Sequence, residues 1–118
     1  MPTTHTLRTI RTSAALAAAT AAVGTEWNNS TAYGGVVTVR LTNGATAPTT
    51  APVVQFFVGE ATTVKRQYYA QSGDIVNSSV NDIVCEIPAG AMFVNVTITN
   101  GATNAITADA FAQELTAI

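Results

Sequence analysis

The chain has 118 residues, enough for one domain with a real core but not for two. Only 10% of them are charged, against about 25% in ordinary soluble domains, and the five basic and seven acidic residues are scattered, with a net charge of −2. That leaves no basic patch to neutralise phosphates, so nucleic acid is not an expected partner. A chain with so little charge is either a small domain rich in Thr, Asn and Ser, or one whose surface is largely covered by other subunits.

In chain order, residues 1–12 (MPTTHTLRTIRT) read as an extended arm whose Leu7 and Ile10 dock on another chain. Residues 13–23 are alanine-rich but carry no charged face, which favours an extended or irregular path over the alternative, a short helix. Arg8 and Arg11 before this stretch have the outline of a secretory leader, but Leu16 and Val23 are its only large aliphatic residues. It is too short and polar to span a membrane, and no membrane partner is expected. Residues 1–24 are therefore expected to form an arm, and residues 25–118 a β-sandwich domain.

From Tyr33 onward strand signals are regular: Val36 to Thr42, Val53 to Val58, Thr63 to Ala70, Val80 to Ile87, Met92 to Thr99 and Ile106 to Leu115. Apolar residues recur at alternate positions in most of them, and Gly, Pro and Asn separate them. The last also has a helical phase through Phe111 and Leu115; the strand is preferred, because a sandwich needs a partner for its final edge. The expected fold is all-β, a single antiparallel β-sandwich of jelly-roll or immunoglobulin-like order with an extended N-terminal arm.

Two of these strands end in the same five residues, TNGAT, at Thr42 to Thr46 and Thr99 to Thr103, 57 positions apart. Two copies are too few for a solenoid, so the repeat reads as a β-corner used twice. The Asn-Gly pair suits a turn with positive φ.

Strand phase divides the side chains between faces. Val54, Phe56 and Val58 are expected inside, with Val53, Gln55 and Phe57 outside. Cys85, the only cysteine, shares its phase with Ile83 and Ile87 and is expected to be buried and unpaired. The outward set includes Phe57, Val84 and Phe93, interleaved with polar residues, as in an interface with a polar rim. A second layer of the same domain covering them is the alternative.

No catalytic chemistry stands out. The one histidine, His5, lies in the presumed arm, and the seven acids have no metal-ligand spacing. No glycine-rich loop leads from a strand into a helix, so the chain is expected to be no enzyme and to hold no cofactor or metal. Trp27, Tyr33, Tyr68 and Tyr69 are candidates for stacking on sugars, with Trp27 more plausibly covering the end of the core.

The segment CEIPAGAMFVNVTITNGATNAITADAFAQEL (Cys85 to Leu115) resembles the closing hairpin of small β-sandwich proteins from tailed-bacteriophage virions, in particular head decoration or capsid cement proteins. A strand, a Pro-x-Gly-Ala turn, an alternating strand and a final polar strand follow in that order. The resemblance implies a structural protein on the capsid surface of a virion, bound to the major capsid protein as a homo-oligomer, with a trimer favoured. Leu7, Ile10, Phe57 and Phe93 are the expected interface residues. The alternative is a carbohydrate-binding or host-adhesion module of a virion tail or fibre, or of a cell surface.

Overall fold

The computed structural model describes residues 4–61 and 63–117. It contains nine strands among these residues and no helix: β1 (Thr4–Leu16), β2 (Ala21–Val23), β3 (Trp27–Asn28), β4 (Gly35–Asn43), β5 (Val53–Ala61), β6 (Val64–Ser72), β7 (Val80–Ile87), β8 (Phe93–Thr99) and β9 (Ile106–Ala117). One sheet has the order β1-β9-β4-β7 and the other β2-β8-β5-β6, with β3 also pairing β8. Every pairing is antiparallel. The pairings nest: β1 with β9, β2 with β8, β4 with β7, β5 with β6. A long hairpin wound on itself pairs this way, so of the two strand orders the sequence left open, the chain adopts the jelly roll.

Alternation places the core where expected. Val37, Val39 and Leu41 of β4, Ile83, Cys85 and Ile87 of β7, and Ala108, Ala110 and Ala112 of β9 are buried in the first sheet. Val54 and Phe56 of β5 and Val94, Val96 and Ile98 of β8 are buried in the second. Cys85 is free and buried. Desolvation, followed by the neighbouring Glu86 charge, raises its thiol pKa above the ordinary value. This contribution to stability is present below the unfolded-state thiol pKa and is lost as pH rises past it, because only the unfolded chain gives up the proton there. Cys85→Ser is expected to cost about 1–3 kcal/mol in urea denaturation, by burying a hydroxyl without an assured partner. A polar thiol reagent at neutral pH should label the native protein far more slowly than the unfolded one.

The separate arm is corrected. Thr4 to Leu16 form an edge strand along β9, from Thr4 opposite Ala117 to Leu16 opposite Ile106. Ile10 lies in the core, 3% exposed, so it cannot dock on another chain. Of the strand's 13 residues only Ile10 and Leu16 are buried, and register shifts at Thr4/His5, Thr9/Arg11 and Arg11/Ala14 interrupt the alternation that would have revealed it. Residues 1–3, the start of the expected arm, lie outside the described residues. After β2, Gly24 N–H donates to Val96 O (2.9 Å) and Thr25 N–H to Ile10 O (2.8 Å), so the chain bridges from one sheet to the other. A Cβ on Gly24 would overlap Ile10 there.

The TNGAT repeat is a structural repeat as well. In the first copy Asn43 N–H donates to Ser79 O (2.9 Å), and Gly44 O accepts from Ser78 N–H (2.8 Å). In the second Asn100 N–H donates to Thr20 O (2.9 Å), and Gly101 O accepts from Ala19 N–H (2.9 Å). Both asparagines are buried, and each side-chain amide donates into the clasped loop: Asn43 Nδ2 to Val76 O (2.9 Å), Asn100 Nδ2 to Leu16 O (3.1 Å). Each copy thus extends its strand's ladder by one step and holds a neighbouring turn shut. The expectation of positive φ at Asn-Gly is corrected: left-handed residues occur instead in the clasped turns, at Ser78 (φ 59°) and Ala19 (φ 55°), and at Thr103 (φ 81°), which ends the second copy.

Candidate binding surfaces

The outer face of the first sheet carries cross-strand rows fixed by register. One row runs Leu7, Gln113, Val36, Glu86 and the next Thr9, Phe111, Thr38, Val84. Leu7 is 63% exposed and Val84 52% exposed. Beyond them Arg40 donates to Asp82 from Nε (2.9 Å) and Nη2 (3.1 Å). The hydrogen bond from Arg40 lowers the Asp82 pKa, and the same bond raises that of Arg40, which is flanked on its other side by Asp109 of β9.

A tyrosine from the other sheet closes the row at its β7 end. In β6, Tyr69 is opposite Phe56 and Gln67 opposite Phe57, leaving Tyr68 as the extra residue of a β-bulge. Tyr69 stacks on Phe56, with ring centroids 6.0 Å apart. Because of the bulge, Tyr68 does not turn to the opposite side: both tyrosines line a hollow with Val84 and Glu86. Tyr68 also walls a hollow of about 350 Å³ over Val36, with Glu86, Gln113, His5 and Leu115 around it. A second hollow of about 280 Å³, over Leu7 and Phe111, shares Val36 and Gln113 with the first. Together they form one open groove across the sheet.

Phe57 and Phe93 lie on the outer face of the second sheet, both partly buried. Phe93 is opposite Gly59 and Phe57 opposite Asn95, so the two rings occupy diagonal positions that aromatic side chains can span. Val53, Gln55 and Thr97 share this face, and Gln55 Nε2 donates to Gln67 Oε1 (2.9 Å). The outward set read from the sequence is thereby divided: Phe57 and Phe93 belong to one sheet, while Val84 belongs to the opposite side of the sandwich, where the expected arm residue Leu7 also lies. Trp27 is no sugar platform. It is 3% exposed, and its Nε1–H donates to Glu114 Oε1 (3.0 Å), with Glu114 Oε2 accepting from Arg8 Nε (2.7 Å).

Among the described residues, no three His, Cys, Asp or Glu side chains are grouped to hold a metal ion. The bulged tyrosine and the jelly-roll order are the features of these surfaces that the sequence did not disclose.

No family model matches the chain, and no curated protein matches it in sequence. Solved structures share its architecture. A structure of Bacillus endospore appendages, described as a novel family of disulfide-linked pili, is similar at TM-score 0.57 and 18% identity, over 98% of this chain and 92% of that one. A family 29 carbohydrate-binding module from Piromyces equi is similar at TM-score 0.54 and 10% identity, over 92% and 90%. The SPBc2 prophage-derived protein YomS is similar at TM-score 0.51 and 13% identity, over 96% of each. At these identities the likeness establishes the β-sandwich fold, one that a prophage-derived protein, a pilus protein and a carbohydrate-binding module have in common.

Proposed function

We propose that this chain is a structural β-sandwich subunit of a virion, bound at the capsid surface to the major capsid protein as a homo-oligomer, a trimer being favoured, and acting by binding rather than catalysis. The observation that carries this reading is the outer face of the second sheet. Among the described residues the nine strands make two layers, and no third layer covers Phe57 and Phe93. In a chain with 10% charged residues, a partly buried aromatic pair among Val53, Gln55 and Thr97 suits an apolar contact with a polar rim. The fold shared with a prophage-derived protein and with a pilus protein supports assembly into a larger particle.

The test is to find the protein in purified particles at a copy number matching capsid symmetry, strip it, and add it back at low and high ionic strength. Occupancy should change little with salt, because little of the contact comes from charge pairs. The double variant Phe57→Thr, Phe93→Thr removes both rings but introduces β-branched side chains suited to strands and should reduce affinity at least tenfold with a small change in melting temperature. Full occupancy by the double variant, or loss of wild-type binding at moderate salt, would overturn the assignment of this face.

A carbohydrate-binding role is the second reading, and a different observation favours it: the groove on the first sheet, where an exposed tyrosine stands beside amide, carboxylate and imidazole groups.

A further inference from the structure

We propose that the groove over β9, β4 and β7 is a binding site for a neutral glycan chain, with one pyranose ring seated on Val36 between Gln113 and Glu86 and against Tyr68. This rests on the second reading above and names its site and ligand class.

Register sets the spacing. Gln113 and Glu86 both pair with Val36, from opposite sides, so they stand two strand spacings apart, about 10 Å. That distance leaves an apolar floor for the C–H face of a sugar and hydrogen-bonding groups for hydroxyls on either rim. Gln113 supplies both donor and acceptor and Glu86 two acceptors. Tyr68 is 50% exposed and offers a ring face with its hydroxyl free to reach the ligand or water. The adjoining hollow over Phe111 and Leu7 continues from Val36 and Gln113, and a second ring of the same chain fits there.

Two observations narrow the ligand. β4 is paired on both edges, to β7 and β9, and β9 is paired to β1 and β4. The backbone groups of these two strands are therefore spent in the ladders; β7 and β1 are the edges of this sheet, so an extended peptide can add only along an outer edge and not over Val36, where recognition must come from side chains, as suits a polyhydroxylated ring. The charges point the same way. Among the described residues none makes an ion pair with Glu86, and Arg40 is already paired to Asp82 in a bidentate contact. An unneutralised carboxylate, with the His5 imidazole in the hollow but no free guanidinium beside it, disfavours phosphate, sulfate or sialic acid. The groove also lies on the sheet opposite Phe57 and Phe93, so a subunit packed through those residues keeps it open.

The experiment is a glycan array with the full chain, followed by calorimetric titration of the strongest neutral oligosaccharide into the wild type and into Tyr68→Ala, Gln113→Ala and Glu86→Gln. The expected result is binding to neutral chains of two or more units, weakened about tenfold by each alanine variant and less by the isosteric Glu86→Gln. All three side chains are solvent-exposed, so melting temperatures should stay close to wild type. Absence of binding to any glycan, neutral or charged, would overturn the carbohydrate reading itself. Binding that survives all three substitutions would keep that reading and overturn this site, and binding confined to sulfated or sialylated glycans would overturn the ligand class.

Discussion

Arg8→Met is expected to destabilise the protein by about 2–4 kcal/mol and to lower its melting temperature by roughly 10 °C, although the Arg8 side chain is half exposed. The reason lies in its partner. Glu114 is 3% exposed and, among the described residues, accepts from two side chains, Arg8 through Oε2 and Trp27 through Oε1. Removing the guanidinium leaves a buried carboxylate with one neutral donor, and an uncompensated buried charge costs more than the pair itself is worth. Glu114→Gln should be milder, about 1 kcal/mol, because its amide oxygen still accepts from Trp27 and the released Arg8 returns to water. In the double variant most of the Arg8→Met penalty should vanish, giving a coupling of about 1–3 kcal/mol in a denaturant double-mutant cycle. Additive losses would mean that water replaces the guanidinium at no cost. The contact also bears on function, since it fastens β1, the edge strand carrying Leu7 and His5, against β9.

Where both partners of a pattern lie close in sequence, the sequence was readable. Val80 to Ile87 matches β7 at both ends, and the alternation of β4, β5 and β8 places every large core residue on the correct face. The final segment was settled as a strand by the need for an edge partner, and β9 pairs on both sides. β1 was lost for a physical reason. It is an edge strand facing solvent along most of its length, its alanines carry little hydrophobic signal, and its register shifts break the period. Its pairing with β9 joins opposite ends of the chain, and nothing local encodes so distant a partner. Tyr68 illustrates the same limit at the groove: that adjacent tyrosines face one side depends on a bulge, which only the register against β5 reveals. The buried acid is the opposite case, because Glu114 follows Ala108, Ala110 and Ala112 in the inward phase of β9. A carboxylate at that position already demanded a buried donor, and Trp27 was the available indole.

Gly44 and Gly101 occupy the same position in the two TNGAT copies, yet the same substitution is expected to have opposite results. Neither glycine has a left-handed φ, so backbone strain does not distinguish them; space does. A Cβ on Gly44 meets nothing closer than Ala105 O at 4.0 Å. Gly44→Ala should therefore be neutral or stabilising by up to about 1 kcal/mol, because alanine restricts the unfolded chain more than glycine does. A Cβ on Gly101 would overlap the Thr50 carbonyl oxygen, part of a backbone that cannot rotate away. The loop after β4 is held against Gly101 by Ala102 N–H donating to Thr50 Oγ1 (2.8 Å) and Thr49 N–H donating to Ala102 O (3.0 Å). Gly101→Ala must therefore break this crossing or shift it, and is expected to cost about 3 kcal/mol or more. Thermal and urea unfolding of the two variants side by side makes the measurement internally controlled, since both change the same residue type in the same five-residue context. Equal effects would mean that glycine is kept in both copies by the motif's own conformation; a loss at Gly101 alone would show that the crossing loop at Thr50 dictates it.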